Sequence, residues 1–146
     1  MSAPSAPGAR IARIGAVFGI EPALWPTHVK DIYSFTETSA QIEGFWSCDL
    51  DDFLFRPAPD YRVFIVDPET EAPLRTGRGL IKIVAPSATG RPTAANTAVL
   101  QFDEAEIVSV DADGSVSAFT RVGRSAGAEA SGTVGCAFKA AEISGD

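Results

Sequence analysis

The chain has 146 residues, 45% of them apolar, with twelve basic against nineteen acidic side chains and a net charge of −7. That length suits one domain of ~100–150 residues, and the apolar content, with nine Phe, two Trp and two Tyr, excludes a globally disordered chain. The acidic balance and the lack of a Lys/Arg stripe argue against nucleic acid as a partner, because counterion release from phosphates has no basic surface to act on.

Residues 1–8, rich in Ser, Ala and Pro, read as a disordered leader, and residues 9–146 as a single domain. The opening MSAPSAPGAR lacks the apolar segment of a signal peptide, and no apolar run approaches the ~18 residues of a membrane span. A cytoplasmic protein is the expectation. Over residues 9–20, Ile11, Ile14, Val17 and Phe18 fall at helical spacing, which predicts a short amphipathic helix ending near Gly19. Pro22 and Pro26 keep the chain irregular up to Val29, and residues 31–35 read as a short strand. Between 36 and 60 aromatic residues alternate with an acidic run and two prolines; a long irregular connection is expected there, with one strand around 53–56. After it the signals are β: a strand over 61–66, a turn at 67–70, and a strand over 79–85. A Gly/Pro/Thr loop over 86–96 follows, then short strands over 98–102 and 106–110. The Asp113-Gly114 pair predicts a hairpin turn leading into a strand over 115–122, since Gly supplies the positive φ that tight hairpins need. Small residues dominate 123–135. The fold class expected is α+β, mainly β: a short N-terminal helix followed by an antiparallel β meander or distorted barrel-like subdomain.

Cys48 and Cys136 are the two cysteines and His28 the lone histidine, too few for a disulfide framework or a structural zinc site. Both thiols are expected to be free. Cys48 stands beside Asp49, Asp51 and Asp52, whose charge disfavours a thiolate, so Cys136 ranks above it as a nucleophile. A further stretch, residues 30–44, runs from Ile32-Tyr33-Ser34-Phe35 straight into Thr36-Glu37-Thr38-Ser39. On the residues alone it is either a strand end carrying a nucleotide and metal site or an ordinary strand-to-loop junction.

Tyr33-Ser34-Phe35-Thr36-Glu37, then Asp103 in Leu100-Gln101-Phe102-Asp103, then Gly123-Arg124 form an ordered series along the chain. This series and the text around it resemble the acyl-protein synthetases, or luciferin-component ligases, of the adenylate-forming (AMP-dependent) ligase superfamily. The likeness runs from about Ala12 to Glu142 and covers only the C-terminal portion of such an enzyme. It implies that Tyr33 packs on adenine, that Thr36 donates to the α-phosphate, and that Glu37 is a ligand of Mg²⁺. It further makes Asp103 the acceptor for the ribose hydroxyls, Arg124 the holder of the ribose-phosphate side, and Cys136, in Gly135-Cys136, the residue that accepts the acyl group. Each role suits its chemistry: a hard cation takes carboxylate oxygen, phosphate takes compact donors, and a planar base takes an aromatic face. Ser34 stands where the family has Gly, and Gln101 where it commonly has Thr.

The cofactors implied are ATP/AMP and Mg²⁺. The phosphate loop and the acyl-binding body lie N-terminal to the matched portion in such ligases, so the resemblance implies a partner chain that supplies the ligase body, together with an acyl-acceptor protein. Residues 87–93 look like a Ser/Thr/Gly phosphate loop, but they lack its terminal lysine and follow Tyr33 to Glu37 instead of preceding it; they read as a turn-rich connection. The alternative from another class is a non-catalytic interaction domain derived from this family, docking through Phe45-Trp46 and residues 53–55.

Overall fold

The computed structural model describes residues 7–34, 41–85 and 97–125. Helix α1 (Pro7–Phe18) begins two residues ahead of the periodic segment, so Pro7 and Gly8 belong to its first turn and not to a leader. Only the stripe carrying Ile11 and Gly15 is buried, as the i, i+4 spacing of one helix face allows. The segment up to Val29 is not irregular: it holds a 3₁₀ turn (Pro22–Leu24) and a short helix α2 (Trp25–His28). Both begin with a proline at the first or second position, where a missing N–H costs nothing.

Among the described residues seven antiparallel strands follow: β1 (Lys30–Ser34), β2 (Gln41–Ser47), β3 (Asp52–Arg56), β4 (Arg62–Val66), β5 (Arg78–Ala85), β6 (Thr97–Val110) and β7 (Val116–Arg124). They form one sheet in the order β1-β2-β3-β7-β6-β5-β4, so the mainly-β α+β expectation holds. The sheet is not closed; β1 and β4 are its edges. It consists of two meanders, β1 to β3 and β4 to β7, sewn together where β3 pairs with β7.

Two expectations are corrected here. The connection over 36–60 contains β2 as well as β3, and 98–110 is one long strand, β6, whose pairing with β7 shifts register three times instead of stopping. In β2, Ile42, Gly44 and Trp46 turn inward and alternate with Gln41 and Glu43 on the outside. Gly44 hides this period because it carries no side chain, yet it is what the packing requires: a Cβ there would lie 2.6 Å from the Phe55 ring.

Tight coiling follows from the reach of side chains. On a flat sheet the four spacings from β1 to β6 would total ~19 Å, more than a tyrosine and an aspartate span together, yet the Tyr33 hydroxyl meets the Asp103 carboxylate at 2.8 Å. The link from β3 to β4 agrees: residues 57–61 must connect strands four places apart, although part of their length is folded into a turn closed by the Tyr61 N–H on the Ala58 carbonyl at 3.0 Å. The concave face so formed holds the main core. Ile42, Phe55 and Phe119 meet the paired rows Val63/Ile83 and Ile65/Ile81 there, all nearly inaccessible to solvent. Each such side chain contributes roughly 1.5–3 kcal/mol by burial. A second cluster, Ile11, Val29 and Trp46 with Trp25 and Ile20 against it, fixes the helices to one end of the sheet.

Candidate functional site

Tyr33 faces inward from the edge strand β1, half-buried, with its ring edge-on to Phe55 at 6.3 Å and to Phe119 at 6.5 Å. Phe55 and Phe119 are themselves stacked at 5.4 Å and 15°, which gives the tyrosine a rigid apolar support. Its hydroxyl donates to Oδ2 of Asp103 at 2.8 Å across 70 residues of sequence. The Arg124 guanidinium approaches Oδ1 of the same carboxylate, Nε at 3.6 Å. Asp103 and Arg124 are register partners on β6 and β7, so their ion pair is an ordinary cross-strand contact. The tyrosine is the member that comes from far away.

The cluster thus brings together three of the residues singled out from the sequence. Asp103 lies within β6 and Arg124 is the last residue of β7, with side chains 24% and 45% exposed, so both groups reach solvent. Thr36 and Glu37 follow β1 closely in sequence but lie outside the described residues, as does Cys136. Among the described residues, no group of three or more His, Cys, Asp and Glu is arranged to hold a metal ion. Cys48 is a free, exposed thiol.

The aromatic segment expected as a docking surface is largely turned inward, with only Phe45 and Leu54 half-buried on the other face. Trp46 and Phe55 are buried at 4% and 3% exposure, and Phe53 is wedged against both rings. Trp46, Phe53 and Phe55 line the core, and the two phenylalanines floor a feature the sequence did not reveal. A cavity of about 90 Å³ opens between the start of α1 and the concave face, lined by Arg10, Asp31, Asp52, Phe53, Phe55 and Val122. It shares Phe55 with the support of Tyr33. Burial pushes the Asp52 carboxyl above its ordinary value, a shift opposed by the Phe53 N–H and the Arg121 guanidinium. The only sequence sign of this corner was the acidic run 49–52, which resembles a solvated surface as much as a half-buried one.

Compared with known proteins, the chain matches no family model, no curated protein and no solved structure. Among the described residues no helix is long and apolar enough to cross a membrane.

Proposed function

We propose that the chain is an acyl-protein-synthetase-like module of an ATP-dependent, AMP-forming system that activates a carboxylic acid, fatty-acyl or other, together with a partner chain carrying the remaining ligase body. The observation that supports this reading is the meeting of Tyr33, from the edge strand β1, with Asp103 and Arg124, from the adjacent strands β6 and β7 that lie beyond β2 and β3 in the sheet. The donor set fits a nucleoside monophosphate. A carboxylate has about four acceptor positions, of which Tyr33 and Arg124 occupy one on each oxygen of Asp103, leaving capacity for a vicinal diol. Arg124, half exposed, keeps guanidinium donors for a phosphate oxygen. The Tyr33 ring is held firmly enough to serve as one wall for a planar base. In this reading Thr36 and Glu37 supply the phosphate donor and the Mg²⁺ ligand, and Cys136 or a separate acceptor protein takes the acyl group as AMP leaves.

Ligand-observed NMR of AMP with the purified 146-residue chain tests it. Weak binding is expected, lost in Asp103→Ala, weakened in Arg124→Gln and unchanged in Cys136→Ala. AMP that fails to bind the wild type, or that binds both site variants equally well, overturns the proposal. ATP–pyrophosphate exchange is expected to be absent from the chain alone, since positioning of the triphosphate is the greater part of such catalysis; robust exchange would remove the partner chain from the reading.

A further inference from the structure

The placement of Arg124 opposite Asp103 depends on one irregularity in β7. Glu106 stands opposite Thr120, but Glu104 stands opposite Gly123, so Arg121 and Val122 together face the single residue Ala105. This is a β-bulge, and its first residue, Arg121, has φ +52°, the left-handed region where glycine is usual. Had β7 continued from Thr120 without it, Gly123 would oppose Asp103. Arg124 would then oppose Phe102 and point to the outer face, because a one-residue slip turns every side chain over.

A neighbouring strand holds the bulge. Arg78, on β5, donates from Nη1 to the Arg121 carbonyl at 2.7 Å, while its Nε is 3.0 Å from Oε2 of Glu104. The guanidinium therefore ties β5 to the backbone of β7 across β6, at the first residue of the bulge. The guanidinium lies over Gly123, where even a Cβ would stand at ordinary contact distance, 3.6 Å from Nη2 of Arg78. Arg121 in turn pairs with Glu106, Nη1 to Oε2 at 2.7 Å, on the same outer face.

We infer that Arg78 is a positioning residue for the Tyr33–Asp103–Arg124 cluster: by bonding the Arg121 carbonyl it holds the left-handed bulge that turns Arg124 inward opposite Asp103. The inference rests on reading that cluster as the functional site, but its test needs no ligand. Backbone NOEs in the full chain report which residue of β7 faces Asp103. Wild type shows the 103–124 contact; Arg78→Ala is expected to lose it in favour of 103–123, and the Arg124 Nε resonance to lose its response to Asp103→Asn. Arg121→Gly adopts the left-handed conformation without help, so Arg78→Ala combined with Arg121→Gly is expected to regain both signals, a rescue that general loss of stability would not give. An Arg78→Ala chain that keeps the 103–124 contact, or a double variant that fails to regain it, overturns the inference. Should Arg78→Ala not fold, the double variant decides alone: folded with 103–124 in contact it supports the role, and unfolded or slipped it refutes it. AMP binding is read on the same samples, and its absence in wild type removes the ligase reading while leaving the register result standing.

Discussion

Tyr33 is the residue on which most depends, because its ring and its hydroxyl serve different parts of the molecule. The ring belongs to the core through Phe55 and Phe119, and the hydroxyl is spent on Asp103. Tyr33→Phe keeps the first and deletes the second; a loss of roughly 1.5–3 kcal/mol in urea unfolding is expected, the usual net worth of a hydrogen bond to a charged acceptor. The change should reach AMP binding as well, through a carboxylate freed on one side. Asp67 provides a pH test at the same scale. Its carboxyl is held below the ordinary range by the N–H groups of Thr70 and Glu69, both 2.9 Å from Oδ1, and by the Thr70 hydroxyl. With the folded value below an unfolded value near ~3.9, the unfolded chain takes up the proton first as pH falls. The contribution is therefore complete above the unfolded value and is lost as pH drops through the folded one. Asp67→Ala is expected to melt below wild type at pH 7, and the gap to narrow under pH 3.

Among the elements, the β6–β7 hairpin was the most legible from sequence and shows why. The chain turns through a bond from the Gly114 N–H to the Asp111 carbonyl at 3.0 Å, and Gly114 sits at φ +85°. Gly114→Ala should cost about 1 kcal/mol or somewhat more, since a Cβ is disfavoured there whatever the space around it; thermal melting of the two chains checks this. Asp-Gly announces such a turn in the letters themselves. Nothing comparable announces β2, where Gly44 interrupts the apolar row and Phe45-Trp46 puts two aromatics on opposite faces. The length of β6 was equally concealed, because Asp103, Glu104 and Glu106 surround the one small inward residue, Ala105, and bulges break the alternation. The same limit applied to the site. Asp103 and Arg124 could be placed near a common hairpin, but the bulge that pairs them sits at an arginine, where no local preference signals a positive φ. The approach of Tyr33 depends on the coiling of the whole sheet, which no local pattern encodes.

At the scale of the molecule, the helices act as a plug on one end of the coiled sheet. Ile11, 1% exposed, is the contact through which α1 joins Trp46 and Val29. Ile11→Ala is expected to destabilise the fold by about 2–4 kcal/mol and to shift tryptophan emission to the red, because Trp25 and Trp46, edge to face at 6.0 Å, lose their cover. The stitching of the two meanders has a further consequence, in the order of events during folding. Within each meander every pairing joins strands adjacent in sequence, while the seam joins Leu54 to Thr120 and Phe55 to Phe119, more than sixty residues apart. Contacts of high sequence separation are slow to form because loop closure must precede them. Tyr33 belongs to the first meander, Asp103 and Arg124 to the second, so the cluster has no existence until the seam has closed. In a stopped-flow refolding experiment, β-sheet signal from the hairpins should therefore rise before the chain acquires any capacity for AMP, and a variant that weakens the seam, such as Thr120→Val, which removes the 2.8 Å bond from its hydroxyl to the Phe53 carbonyl, should delay the second event more than the first.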